Sequence, residues 1–388
     1  MKKLTVISCF LCFALFLQAQ QPAVIVGAER TADYFPLLKG KRIALFSNHT
    51  GRVGDKHLLD VLVENHLNVT AIFSPEHGFR GDAGAGDHVA SSVDPKTGVP
   101  ILSLYDGKGG KPTPASMQKF DILIVDIQDV GLRFYTYYVT MVKLMDACAE
   151  YHKKVLILDR PNPNGHYVDG PILDMKYKSG VGWLPIPVVH GLTLGELGRM
   201  VNGEKWLSEN RTCDLTVIPC LNYTHQTMYR LPVPPSPNLP NMTAIYLYPS
   251  ICYFEATPVS LGRGTDLPFQ VYGHPNMSGY DFTFTPKSMP SAIHPPQQDR
   301  LCHGVNLSLL PEEEILKKGI DLSYLIDAYK RLNMDDYFFR PFFENLIGVG
   351  YVRKAIEQGK PAEEIQAMWQ DDVVKFKKQR KPYLLYIE

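Results

Sequence analysis

The amino-acid sequence predicts an α/β protein, a doubly wound and mostly parallel sheet followed by a smaller α+β domain. Three features carry that expectation. Short runs rich in β-branched residues, apolar on both faces, recur through the first half of the chain. Each is followed by a polar cluster, and apolar residues at helical spacing fall between the runs. Near residue 232 this rhythm stops and prolines crowd together. Strands apolar on both faces belong in a parallel sheet covered by helices on both sides. Strand and helix in alternation imply right-handed βαβ units.

The predicted strands are residues 42–46 (RIALF), 69–73 (VTAIF), 122–127 (ILIVDI), 155–158 (VLIL) and 186–189 (IPVV). Among the helical stretches, residues 56–66 set Leu59, Leu62 and Val63 on one face. Residues 138–152 do the same with Met141, Leu144, Met145 and Cys148. Thr193 opens a further helix, because Thr193 and Glu196 have the spacing of a capping box, with Leu197 and Met200 following on an apolar face. Pro232, Pro234, Pro235, Pro237 and Pro240 make a rigid, extended connector. Beyond it, residues 244–248, 269–271, 280–284 and 305–309 read as short strands, and residues 323–332 and 362–376 as helices. The expected division is 21–235 for the first domain and 236–388 for the second.

Residues 1–20 stand apart from the fold. Lys2 and Lys3 precede a nearly unbroken apolar run, residues 4–17, and Gln18, Ala19 and Gln20 follow. This reads as a cleavable secretory signal and implies export, to the periplasm or beyond the cell. The run falls short of the ~20 residues of a membrane span and no later run approaches it, so no membrane insertion is expected after signal removal. Cys9 and Cys12 come too early in the run for a lipid-modified cysteine, which argues against an anchor. With 45% hydrophobic, 11% aromatic and 21% charged residues, the rest is a packed globular chain. A net charge of +0 and the lack of a long basic block argue against nucleic acid and anionic membrane surfaces as partners. Nothing in the sequence sets the oligomeric state. Outside the signal the cysteines are Cys148, Cys213, Cys220, Cys252 and Cys302, with no C-x-x-C pair. Cys213 and Cys220 are read as buried small apolar residues in preference to a local disulfide.

Open parallel sheets bind ligands beyond the carboxyl ends of their strands. Five predicted strands end in polar loops. Asn48 and His49 follow the first; Glu76, His77 and Arg80 follow the second. The third ends in Asp126 and continues to Gln128, Asp129, Arg133, Tyr135 and Tyr137. Asp159, Arg160, Asn162 and Asn164 end the fourth, and His190 the fifth. Their convergence makes a polar pocket, and Ser236 and Asn238 of the proline-rich connector are placed to line a cleft between the domains. No G-x-G-x-x-G follows the first strand and no phosphate-cradling or G-x-S-x-G motif occurs, so neither a nucleotide cofactor nor a common serine hydrolase is expected. His49, His77 and His190 could meet around a metal, but no H-x-H or H-E-x-x-H spacing supports it, and no metal is expected. What the loops supply is carboxylates, amides, arginines and tyrosines. Amides and carboxylates hydrogen-bond sugar hydroxyls, arginine pairs with a ligand carboxylate, and carboxylates carry glycosidic chemistry. Structural readings stand beside these: Asp126 as a buried acid paired with Arg133 or Arg160, Glu196 as a cap, His190 as a core histidine.

Several motifs carry a resemblance. SNHTG (47–51), SPEHGFRG (74–81), DIQDVGLRFYTY (126–137), LDRPNPNG (158–165), HGLTLGEL (190–197), PPSPNLP (234–240) and GRGTDLPF (262–269) resemble the YbbC-like, or NamZ, family of exo-β-N-acetylmuramidases. The likeness runs to RKPYLLY at 380–386. It implies a Rossmann-like first domain, a smaller second domain and a site in the cleft between them. It implies an exo-acting glycoside hydrolase that releases N-acetylmuramic acid from the non-reducing end of peptidoglycan fragments, in cell-wall turnover or recycling. Glu76 matches the acid of the E-H-G motif and is implied as the essential carboxylate, with His77 orienting it or binding sugar. Asp126, Asp159 and Glu255 are candidates for a second carboxylate, unless the substrate's acetamido oxygen takes that part. Gln128, Asp129, Arg133, Tyr135, Arg160, Asn162, Glu255 and Arg263 match the remaining signatures. Asn48, Arg80, His190 and Asn238 join them as expected substrate-binding residues. The lactyl carboxylate of N-acetylmuramic acid calls for a cation, from Arg80, Arg133, Arg160 or Arg263. The alternatives are a muropeptide-binding protein without turnover and a metal-dependent hydrolase built on the three histidines.

Overall fold

The computed structural model describes residues 22–74, 79, 92–104 and 110–388. A seven-stranded sheet organises the first domain. In chain order its strands are β1 (Ile43–Ser47), β2 (Val69–Ser74), β3 (Ser92–Val93), β4 (Pro100–Ser103), β5 (Ile122–Asp126), β6 (Lys154–Leu158) and β7 (Asp214–Ile218). In space the order is β3-β4-β2-β1-β5-β6-β7, and every pairing is parallel except the short edge pair β3/β4. The chain runs outward from β1 to one side through β2 and β4. It then returns to β5 on the other side of β1 and runs outward again. The switch point therefore lies between β1 and β5, where Ser47 faces Asp126.

Alternate residues of each strand face opposite layers, as the two-residue period of a strand requires. Ile43, Leu45, Ile72, Ile122, Ile124, Leu156 and Leu158 pack on one side with helices α1 (Thr31–Leu38) and α2 (Leu58–Glu64). Ala44, Phe46, Phe73, Leu123, Val125, Val155 and Ile157 face the other side, with α3 (Tyr137–Glu150) and α4 (Leu194–Gly203). The second of these cores continues without interruption into the second domain, through Leu239, Ile245, Phe343 and Trp369. Helix α4 opens as its sequence predicts: Thr193 Oγ1 accepts the Glu196 N–H, and Glu196 Oε2 accepts the Thr193 N–H.

Two expected strands are not strands. Residues 186–189 form a buried loop joined to Leu132 and Asp169 by isolated bridges; the parallel strand after β6 is β7, and the parallel strand β4 was not expected from the sequence either. Pro185 and Pro187 explain the loop, since proline has no N–H to give a ladder. Strand β7 escaped notice because it is an edge strand with only its last residue buried. Residues 244–248 lie within helix α5 (Met242–Ile251), capped by Asn241 Oδ1 on the Ala244 N–H at 2.9 Å. An apolar run with no polar face reads alike as buried strand or buried helix.

Beyond α5 a three-stranded antiparallel sheet, β8 (Val271–His274), β9 (Phe282–Phe284) and β10 (Cys302–Asn306), has β10 at its centre. Helices α6 (Ser323–Leu332), α7 (Phe343–Ile347), α8 (Tyr351–Glu357), α9 (Ala362–Ala367) and α10 (Gln370–Arg380) follow. The expected single helix over 362–376 is therefore two, broken at buried Trp369, whose indole N–H reaches back to Asp169 at 2.8 Å. Residues 385–387 return to the first domain: the Leu385 N–H meets Glu196 and the Tyr386 hydroxyl meets Asp159. Cys148, Cys213, Cys220, Cys252 and Cys302 are free and buried, as small apolar residues.

Candidate functional site

The switch point is occupied by a buried polar scaffold. Asn48, just past β1, accepts the Thr50 N–H and hydroxyl on Oδ1 and donates Nδ2 to the Tyr137 hydroxyl at 3.0 Å. Thr50 Oγ1 in turn accepts the Gln128 N–H at 2.9 Å, tying the loop after β1 to the loop after β5. Gln128 donates Nε2 to the carbonyls of Asp129 and Pro161. Asp126 ends β5 with no exposed surface, and its Oδ1 accepts Arg160 Nε at 2.7 Å. Arg160 also donates Nη2 to the Arg52 carbonyl. Sequence reading offered Arg133 or Arg160 as the partner of Asp126, and the structure selects Arg160. Asp126 Oδ1 is committed to that pair, while its buried Oδ2 has no partner among the described residues.

Arg133 departs further from its expected place. It is fully buried, and its terminal nitrogens donate to the carbonyls of Pro171, Ile186, Leu346 and Ile347. Burial pushes its pKa down to about 10. With four backbone acceptors filled, it clamps the first domain to α7 and has no fork left for a ligand carboxylate. Asn162 donates Nδ2 to the Leu192 carbonyl and accepts the Asn164 N–H. It sits against Gly131, whose φ of +77° and close approach exclude a side chain. Asp129 accepts the Gly131 N–H at 2.7 Å, and burial raises its pKa to about 7. His190 accepts the Leu192 N–H on Nδ1; burial, then the nearby Arg380 and Arg133 charges, push its pKa down to about 3. Each makes a bond inside the protein and His190 is fully buried, while Asp129 Oδ2 and His190 Nε2 have no partner among the described residues.

Four of the expected binding residues meet in a cavity of about 110 Å³ between the domains. Tyr135, Asn238, Glu255 and Arg263 line it, with Phe134, Thr136, Tyr137, Val181, Ser236, Leu239, Tyr248 and Phe269. Its roof is the proline-rich connector, whose Pro235 carbonyl accepts both the Tyr135 and Tyr137 hydroxyls, at 3.0 and 3.2 Å. Because Tyr137 also receives Asn48 Nδ2, the cavity adjoins the strand tips. Glu255 and Arg263 form a salt bridge, with Arg263 Nη2 to Glu255 Oε1 at 2.6 Å and Nε to the same oxygen at 3.0 Å. The guanidinium lies 4.9 Å from the centre of the Phe269 ring, a cation–π contact. Ser236 and Asn238 line the cleft as the sequence suggested. Tyr248 and Phe269 were missed as lining residues: Tyr248 was assigned to a strand, and Phe269 was read as the end of the GRGTDLPF motif and the start of a strand.

Glu76, His77 and Arg80 lie outside the described residues. The strand that leads to them, β2, ends at Ser74 beside β1. His49 bonds the Pro234 carbonyl at 2.8 Å, far in role from the buried His190. Among the described residues no group of three His, Cys, Asp or Glu could hold a metal ion.

Together the doubly wound sheet, the second domain beside its strand tips, and an aromatic, amide-bearing cavity with one ion pair define a Rossmann-like α/β protein with a smaller second domain and a cavity where the two meet. Comparison with known proteins places it more narrowly. Residues 43–243 match the family described as exo-β-N-acetylmuramidase NamZ, N-terminal, and residues 246–386 match its C-terminal counterpart. The chain belongs to the NamZ family. It is 40% identical to the peptidoglycan β-N-acetylmuramidase NamZ of Bacillus subtilis strain 168, over 95% of this chain and 92% of that protein. Crystal structures of two DUF1343 family proteins from Bacteroides fragilis NCTC 9343 share the fold. One is 73% identical with a TM-score of 0.89, covering 95% of this chain and all of the other. The second is 28% identical with a TM-score of 0.79, covering 94% and 100%.

Proposed function

We propose that this protein is an exo-acting glycoside hydrolase that releases N-acetylmuramic acid from the non-reducing end of peptidoglycan fragments, in cell-wall turnover or recycling. The observation that carries the reading is the 40% identity to a peptidoglycan β-N-acetylmuramidase across 95% of the chain. The inter-domain cavity agrees with it, since tyrosines, an amide and a charged pair suit a substituted sugar. In the reaction the bond between the sugar C1 and the glycosidic oxygen breaks, the leaving oxygen takes a proton, and water supplies the new anomeric hydroxyl. Glu76 is assigned the proton transfer at the glycosidic oxygen. Lys2, Lys3 and the apolar run that follows support export to the periplasm or the medium.

Hydrolysis of a chromogenic N-acetylmuraminide tests the assignment. The wild-type protein should release the aglycone. Glu76→Gln should lower kcat at least about a hundredfold while leaving the thermal melt unchanged. Full activity in that variant would remove Glu76 from the chemistry, and tight sugar binding with no product would replace an enzyme by a binding protein.

A further inference from the structure

Two polar side chains at the inter-domain cavity have bonding capacity left unused among the described residues, and of opposite kinds. Glu255 takes the side-on edge of Arg263, using Nε and Nη2 on one carboxylate oxygen. The end-on edge, Nη1 with the second N–H of Nη2, has no partner among the described residues. A guanidinium is planar, so fixing one edge fixes the direction of the other. Asn238 is buried, donates Nδ2 to the Ser291 carbonyl at 2.9 Å, and leaves its buried Oδ1 without a donor among the described residues. A buried acceptor in that state is unfavourable until a donor reaches it. The two residues line the same small cavity. Ligand pockets commonly run to ~300–1,000 Å³, so this one fits the substituents of a ring, not a whole saccharide.

We propose that Arg263 and Asn238 read the two adjacent substituents of N-acetylmuramic acid: the end-on fork of Arg263 holds the 3-O-lactyl carboxylate, and Asn238 Oδ1 accepts the 2-acetamido N–H. The proposal rests on the function proposed above and names the part of the substrate this cavity takes. Of the other cations considered, Arg80 lies outside the described residues and the remaining two are committed elsewhere. Arg133 serves four carbonyls, and Arg160 serves Asp126 and the Arg52 carbonyl and does not line the cavity. A single carboxylate and a single N–H donor on neighbouring ring carbons match one free donor fork and one free acceptor. Glu255 offsets part of the arginine charge, so the recognition is directional and its size moderate.

The test compares a chromogenic N-acetylmuraminide with its lactyl carboxamide, which keeps the shape and loses the charge. One charge-assisted, bidentate contact corresponds to about tenfold to a hundredfold in kcat/KM. Wild-type protein should favour the free acid by that factor, and Arg263→Met should bring the ratio to within about threefold of unity. Arg263→Lys keeps the charge without the fork and should give an intermediate ratio; it decides the matter if the Met variant does not fold. A preference unchanged in both variants, or absent from the wild type, overturns the proposal. Calorimetric binding of N-acetylmuramic acid and its carboxamide to the same proteins separates this question from turnover. No hydrolysis of any muraminide, with the binding ratio still lost in the variants, would sink the enzymatic reading alone.

Discussion

Asp129 and His190 show what burial does to single residues in the loops behind the sheet. Asp129 has a folded-state pKa of about 7, raised by desolvation above its unfolded value near 4. The folded protein therefore binds more protons than the unfolded chain between pH 4 and 7, and this residue's contribution to stability falls as pH rises through that window. His190 behaves in the opposite sense. Its pKa of about 3 lies below the unfolded value near 6.5, so its contribution is full above pH 6.5 and is lost as pH falls toward 3. Urea midpoints at pH 4.5 and pH 7.5 read both effects. Relative to wild type, Asp129→Asn should be more favourable at pH 7.5 than at pH 4.5, and His190→Gln more favourable at pH 4.5. Equal differences at both values would contradict these assignments. The identity of the polar residues was legible from the sequence, and their duties were less so. Asn48 and Asn162 follow strands β1 and β6 as expected, Arg133 lies further along the loop after β5, and His190 follows a buried loop instead of a strand; all four bond the backbone. A polar side chain looks the same in one dimension whether it faces a ligand or a carbonyl.

At the scale of elements, the joint between the domains turns on Gly348. It ends α7 with φ +87°, and a Cβ there would collide with the Arg133 guanidinium. Left-handed backbone and lack of room both demand glycine. Gly348→Ala should therefore cost more than about 1 kcal/mol, read as a lowered urea midpoint, and a neutral result would mean the clamp is not tight. Strands β1, β2, β5 and β6 were legible because each is a continuous apolar run. The edge strand β7 and the buried helix α5 were not. The former is half solvated, so its pattern is weak. The latter is apolar all round, so its helical period is invisible. The break between α9 and α10 was likewise hidden, because it depends on Trp369 finding Asp169 some two hundred positions away.

The molecule as a whole is held closed by residues 385–387. The Tyr386 hydroxyl donates to Asp159 at 2.6 Å, and the His225 N–H donates to the Ile387 carbonyl at 2.9 Å. Asp159 also accepts the Thr193 hydroxyl and the Gly195 N–H, so the strap reaches the cap of α4. Tyr386→Phe should destabilise the protein by about 1–3 kcal/mol, and since one core spans both domains, unfolding should remain a single transition. Two separated transitions in calorimetry would show that the domains melt independently. The α/β class, the central strands, the proline-rich joint and the family motifs were all readable along the chain, because apolar period, proline chemistry and contiguous motifs are local properties. Which of the motif residues build the scaffold and which line the cavity became visible only once the chain was folded. That choice depends on which partner reaches each donor and acceptor first, and the partners lie up to some two hundred residues apart along the chain.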